Sequence, residues 1–323
     1  MEKTNHLESV IKTHQITKEK QLLDKHIAKR DEVKETLEEK YKEDIYSPFN
    51  SGSYPKNTAI NTKFDIDLVV PFKRNVFGTL KEMYEALYEF LYDKYKGEAT
   101  IKKQKVSIGL EFTMDKDGDV IKIDVVPGRE LNQKQYEEDE NLNLYVYNKY
   151  GVIDAGSERI KTNVHAQINN IKDRATKEKE SIRKIIRLLK VWKGTKLDYP
   201  TKSFFLELIT IKAFDNDTIS GNLWDKLKSV LEFIRDNVTK DEFSLKDPGN
   251  GSNDLIDTLT SYERTRLSED MKYMLTRIEE NDENIKTYFP ENEKHKEKKE
   301  ESNDNRYGVK GGISTPAPKL NFG

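Results

Sequence analysis

Apolar residues recur at helical spacing along the first charged stretch. Leu22, Leu23, Ile27, Val33, Leu37 and Tyr41 stand among Lys and Glu and predict a long helix over 17–43. Ser47-Pro48 and the turn-rich Asn50-Ser51-Gly52-Ser53 end it. The pattern then switches to alternation. In Phe64-Asp65-Ile66-Asp67-Leu68-Val69-Val70-Pro71, a period of two puts Ile66 and Leu68 on one face of a strand and Asp65 and Asp67 on the other. Residues 79–96 return to helical spacing, with Leu80, Met83, Tyr84, Leu87 and Leu91 on one side. Two β-rich segments, 106–113 and 119–126, flank the turn signal Asp117-Gly118 and predict a hairpin. In its second strand Ile121, Ile123 and Val125 share a face, and Asp124 projects from the other with Lys122 and Val126.

Beyond about residue 160 the pattern is helical, with helices expected over 177–194, 201–214, 222–238 and 253–281. A mixed α/β half followed by an all-α half predicts an α+β protein of two lobes, divided near 155–170. The expected organisation is a mixed α/β lobe with a long N-terminal helix over 1–160, a helical lobe over 161–289 and a flexible tail over 290–323. That tail is mostly charge, Gly, Pro, Ser and Asn.

Composition narrows the function classes. Without cysteine, disulfides, thiolate metal sites and Cys nucleophiles are excluded. No apolar run approaches the roughly 20 residues that span a bilayer, and the start has no apolar signal segment, so a soluble cytoplasmic protein without membrane contact is expected. Lys and Arg nearly balance Asp and Glu, at a net charge of −2. That balance favours small nucleotide substrates over a long nucleic acid, whose grip needs a basic surplus.

A charged residue amid Ile and Val needs a partner or a purpose. Asp65 and Asp67 lie side by side on one strand, and Asp124 sits on another that could pair alongside. Clustered carboxylates repel unless a cation lies between them. Hard oxygen ligands of this kind suit Mg²⁺ or Mn²⁺ shared with substrate phosphates. Upstream, Gly52 lets the backbone approach a phosphate closely, and Ser53 can donate from N–H and hydroxyl.

These residues carry a family resemblance. GSYPKNTAINTKFDIDLVVPF resembles the signature of the polymerase-β-like nucleotidyltransferases, a Gly-Ser helix start before a D-x-D strand. IIRLLKVWKG (185–194), KSFFLELI (202–209) and DPGNGSNDL (247–255) are similar to the helical half of the cyclic GMP-AMP synthase and oligoadenylate synthetase branch. Its bacterial members, the CD-NTases, make cyclic oligonucleotide signals in anti-phage systems (CBASS). The resemblance implies a polymerase-β-like lobe of mixed sheet and helices plus a C-terminal helical lobe, with the active site in the cleft between them. It implies that Asp65, Asp67 and Asp124 hold two Mg²⁺ ions, which Mn²⁺ can replace, and that Asp124 helps deprotonate the attacking ribose hydroxyl. Gly52, Ser53, Lys190 and Ser203 would touch nucleotide phosphates, and Asp247 would lie near a base or ribose.

The activity implied is a cyclic di- or trinucleotide synthase that joins NTPs, ATP among them, and releases pyrophosphate. Accessory CBASS proteins are implied partners, including conjugation through Gly323. The chain departs from the family at Asn57-Thr58, where Gly-Thr often follows the signature. Two other readings stay open: a template-independent RNA or tRNA nucleotidyltransferase, and a nucleotide-binding scaffold that has lost catalysis.

Other features read as structural. Asp115, Asp117 and Asp119 lack the Gly and Glu spacing of a calcium loop and read as a hairpin turn. The five His show no paired metal spacing; His165 reads as structural or surface, and Trp192 as core. Lys179, Arg183, Lys184 and Arg187 could line a phosphate groove, but they read first as the wet side of their helix.

Overall fold

The computed structural model describes residues 3–113, 116–148, 159–199 and 201–296. Residues 297–323 of the expected tail with Gly323, Asp115 and part of the expected lobe boundary lie outside the described residues, whereas 290–296, expected to be flexible, bond to His14, Thr13, Asn61 and Glu19.

The chain opens with helices α1 (Lys3–Thr13) and α2 (Lys20–Tyr41). Strand β1 (Phe49–Ser51), the one-turn helix α3 (Ser53–Lys56) and strand β2 (Ile66–Phe72) follow. Helix α4 (Leu80–Tyr95) is closed at its start by a capping box, in which Thr79 and Glu82 each bond the other's backbone N–H. Strands β3 (Ala99–Lys103), β4 (Ile108–Phe112) and β5 (Ile121–Glu130) come next. Helix α5 (Tyr136–Asp139) and strands β6 (Leu142–Tyr145) and β7 (Arg159–Thr162) complete this half.

β2 runs parallel to β5 at the centre of the sheet, with β1 antiparallel on its outer side. β4 and β3 continue antiparallel from β5, while β6 pairs antiparallel with the end of β5 and β7 with β6. The expected hairpin partner of β5 is therefore present as β4. The alternation of β2 and β5 sorts their side chains by face. Ile66, Leu68, Val70, Ile123 and Val125 pack into a core with α2 and α4, through Val33, Leu37, Met83, Tyr84 and Leu87. Val69 and Val126 point the other way, into a smaller cluster with Tyr136, Leu142, Leu144, Val164 and Ile168. Asp67 and Asp124 precede those two valines by two residues, so they share that second face.

The helical half contains α6 (Val164–Lys172), α7 (Thr176–Lys196), α8 (Ser203–Asn216) and α9 (Leu223–Asn237). A hairpin of β8 (Lys246–Asp247) and β9 (Asn250–Asp254) leads to α10 (Ser261–Glu280) and α11 (Ile285–Tyr288). The helix expected from 253 starts only at 261. Asp254 accepts from the N–H groups of Leu245 and Ile256, which fixes a strand end and a short turn, and the Thr260–Glu263 capping box then opens α10. Trp192 is core, as expected.

Two segments from the first half pack with the helices. Leu7, Val10 and Ile11 of α1 enter the helical core, and so does Ile60. Asn61 ties this loop to the end of α1 and to the segment after α11. Its side-chain amide donates to the Thr13 carbonyl at 2.9 Å, and its Oδ1 accepts from Asn292 at 3.0 Å. The stretch from α3 to Asn61 thus belongs to the sheet by sequence order and to the helices by packing.

Candidate active site

β2 and β5 pair in a register that sets Asp67 directly opposite Asp124. Parallel neighbours stand roughly 4.8 Å apart, so two carboxylates project side by side from one face. Asp65, immediately before β2, acts on both: its charge raises the pKa of Asp67 and of Asp124. Burial is the largest cause for each, and Asp67 is pushed up to about 7. Lys56 and Lys190 oppose this shift, which places both ammonium groups within electrostatic reach of Asp67.

Gly52 crosses directly over this cluster. Its φ of +69° and ψ of −145° belong to a region open almost only to glycine. A Cβ there would lie 1.8 Å from Asp67 Oδ2, so the backbone touches the carboxylate. Ser53 then starts α3, which turns out through Asn57 in the left-handed conformation at φ +57°. The Asn57 N–H donates to the Tyr54 carbonyl and the Thr58 N–H to that of Ser53, each at 3.0 Å, a Schellman closure. The departure at Asn57 is accommodated, because Asn is among the few residues besides Gly that tolerate this geometry.

Helix α7 clamps the end of α3. Arg183 Nε donates to the Lys56 carbonyl at 2.9 Å, Arg187 Nη2 to that of Asn57 at 2.7 Å, and Lys190 Nζ to that of Thr58 at 2.8 Å. Positive groups are well placed at the C-terminal carbonyls of a helix. The wet-side reading of Arg183 and Arg187 is therefore corrected: the Arg187 side chain is buried and both guanidinium groups face α3. Burial, with Lys56, Arg187 and Lys193 nearby, draws the Lys190 ammonium down to about 8. From α8, Glu207 reaches the Lys56 ammonium at 2.5 Å, an ion pair nearly closed to solvent.

Ser203 begins α8, and its hydroxyl accepts from Lys193 Nζ at 3.1 Å. Asp247 stands apart from this group. Its oxygens accept from Gln167 Nε2, the Gly249 N–H and Asn253 Nδ2, which holds the β8–β9 turn together. His165 stacks on Phe49 with ring centroids 4.1 Å apart. Asp117 and Asp119 both pair with Lys25, in keeping with a hairpin turn. His26, not singled out by sequence, is buried against Phe64 and accepts from the Lys122 N–H at 3.3 Å, bracing the segment that carries Asp65. Gln104, also unmarked by sequence, donates to Asp124 Oδ1 at 3.0 Å.

Among the described residues no three acidic or imidazole groups form a ready-made metal cage. The aspartates form a cluster of hard oxygens whose mutual repulsion the nearby lysines offset only in part, since the pKa values of Asp67 and Asp124 both stay raised. Such a donor set fits a divalent cation that takes its remaining ligands from water and phosphate.

This architecture is the fold of several solved CD-NTases. CdnG, a CD-NTase of Bradyrhizobium diazoefficiens solved with GTP, superimposes with a TM-score of 0.67 at 11% identity, over 88% of this chain and 94% of that one. Escherichia coli CdnC solved with ATP gives 0.64 at 17% identity, over 87% and 95%; the same cyclase is also solved in complex with a HORMA protein, at 0.61 and 18%. In sequence the chain is similar to a CBASS oligonucleotide cyclase CdnC of E. coli strain KTE188, 24% identical over 217 residues. That alignment spans 65% of this chain and 64% of the relative. No family model matches the chain. Among the described residues no helix is long and apolar enough to cross a membrane.

Proposed function

We propose that this protein is a nucleotidyltransferase that joins NTPs into a cyclic oligonucleotide, with a role in CBASS signalling. The observation that carries the reading is the register match of Asp67 with Asp124 beneath the Gly52 turn. The ribose hydroxyl of one nucleotide bonds to the α-phosphorus of another as the α–β anhydride bond breaks. Pyrophosphate leaves with the bonding electrons, and the hydroxyl proton passes to Asp124 or to solvent. A second transfer of the same kind closes the ring.

Asp65, Asp67 and Asp124 would hold Mg²⁺, which would supply charge neutralisation of the triphosphate and activation of the hydroxyl. The Gly52–Ser53 turn brings backbone against the carboxylates and serves as the triphosphate rest. Lys190 holds that turn through Thr58 and contributes positive charge beside it. Ser203 and Lys193 supply a hydroxyl and an ammonium at the start of α8. ATP is a fitting substrate, and the HORMA complex of CdnC supports an accessory protein as partner.

The test is incubation with the four NTPs and Mg²⁺, followed by pyrophosphate assay and mass analysis of phosphatase-resistant products. Wild-type protein should yield a cyclic product without added RNA. Asp65→Ala with Asp67→Ala should keep its fold by circular dichroism and lose at least about 10³-fold in turnover, the scale set by removing a main source of transition-state charge stabilisation. Turnover by a well-folded double variant would refute the site.

A further inference from the structure

Asp124 does not hold its carboxylate unaided. Gln104 lies in the turn between β3 and β4, where its N–H donates to the Ser107 carbonyl at 2.9 Å. The phenol of the fully buried Tyr84, on α4, sits inside this turn, 2.9 Å from the Gln104 carbonyl and 2.8 Å from that of Ser107. The Ser107 hydroxyl donates to Gln104 Oε1 at 2.7 Å. That contact occupies the oxygen end of the amide and leaves the NH₂ end to meet Asp124 Oδ1 at 3.0 Å. Opposite Asp124 in the β4–β5 register stands Gly109. A Cβ at this position would lie 2.4 Å from Gln104 Nε2 and 3.2 Å from Asp124 Oδ1. The missing side chain is what lets the amide lie across the strand and reach the carboxylate.

From this geometry we infer that Gln104 is a positioning residue for Asp124, aimed by Ser107 and Tyr84 and admitted by Gly109. The inference rests on the proposed nucleotidyltransferase reading. Asp65 and Asp67 repel Asp124, and a strand carboxylate is free to swing about two side-chain bonds. A Lys or Arg in this place would hold it but cancel the charge that a metal and phosphate site needs. A neutral amide holds one oxygen and leaves the charge intact. Among the described residues Oδ2 has no hydrogen-bond partner, so it remains for the reacting side. Outer partners that orient metal-binding carboxylates typically matter by about 10- to 100-fold in metal affinity or activity.

The experiment compares wild type with Gln104→Met, which keeps length and removes the donor, and with Ser107→Ala, which frees the amide to rotate. Three quantities are read: Mn²⁺ binding by electron paramagnetic resonance with a non-hydrolysable ATP analogue, kcat and KM for NTP, and Tm. Gln104→Met should weaken Mn²⁺ binding by about 10-fold and lower kcat by about 10- to 100-fold. Its KM should stay within about 2-fold and its Tm within about 2 °C. Ser107→Ala should fall between the two. Wild-type Mn²⁺ binding and kcat in Gln104→Met would overturn the inference, and so would losses that merely track a fall in Tm. Wild-type protein that releases no pyrophosphate would instead overturn the proposed reaction, while the Mn²⁺ comparison would still decide the role of Gln104.

Discussion

The ion pair between Lys56 and Glu207 joins the end of α3 to α8, and its environment predicts unequal effects for its two partners. Lys56 is 5% exposed and Glu207 2%, at an N–O distance of 2.5 Å. Glu207→Gln keeps shape and removes the negative charge. It leaves the Lys56 ammonium buried over the Phe204 ring without its bonded counter-charge, repelled by Lys190 and attracted by Asp67, whose pKa of about 7 leaves it partly protonated. Stranding one partner of a buried pair costs about 3–5 kcal/mol, or roughly 4–8 °C in Tm at about 2.1 cal/mol/K of unfolding entropy per residue. Lys56→Met is milder, because Glu207 keeps Lys190 as a second cation within reach; about 2 kcal/mol is expected, below the full cost of a stranded charge. The double variant should cost no more than Glu207→Gln alone, a coupling of at least about 2 kcal/mol. Urea unfolding of the four proteins at pH 7.5 measures this. Additive losses, or a Glu207→Gln variant within about 1 kcal/mol of wild type, would refute the reasoning. Because the pair anchors the helix that begins at Ser53, turnover should fall with it; a shift of about 1 Å at a positioning element can cost about 100-fold.

Two further outcomes follow from particular contacts. Gly52→Ala forces a backbone region costing about 1–3 kcal/mol and drives a methyl group into Asp67 Oδ2; turnover should drop at least about 100-fold, and a fully active variant would contradict the contact between turn and carboxylate. His14 is buried, its Nε2 3.2 Å from the Pro290 carbonyl and its Nδ1 without a partner, so a second proton has no acceptor. Burial, with His295 nearby, draws it down to about 4 from 6.5. The folded state therefore takes up this proton later than the unfolded chain. Its contribution is whole above pH 6.5 and is lost as pH falls towards 4, by at most about 3 kcal/mol. His14→Gln should flatten that part of the stability–pH curve in urea melts; an unchanged slope would exclude His14 as its source.

The aspartates were legible in the sequence because a charged residue inside an alternating apolar strand stands out by its cost. Ile66 and Leu68 around Asp67, and Ile123 and Val125 around Asp124, announce which face each carboxylate takes. Their pairing was not legible. Parallel β2–β5 contact joins segments some sixty residues apart, and nothing local specifies the register that matches Asp67 to Asp124. Strand β3 escaped for a related reason: Ala99–Lys103 alternates, but two of its five residues are lysines, and its buried positions become plain only beside β4. The first helix shows a similar gap. Leu7, Val10 and Ile11 make a short apolar stripe, and nothing in it says that the stripe is completed by helices more than 150 residues away.

The cations of α7 mark where sequence periodicity runs out altogether. Arg183, Arg187 and Lys190 recur at the spacing of a solvated face, and a helix read alone gives no reason to bury them. What buries them is the run of carbonyls at Lys56, Asn57 and Thr58, left without helical donors because α3 is only one turn long. That shortness is itself imposed by Asn57 in the left-handed region, which turns the chain back towards the helices and delivers Ile60 to their core. One strained glycine and one left-handed asparagine therefore bracket a four-residue helix. Its start rests on the carboxylates and its end is held by the other half of the molecule. One link between the halves runs through the element that touches Asp67, so a perturbation of α7 or α8 has a route to the site through this turn.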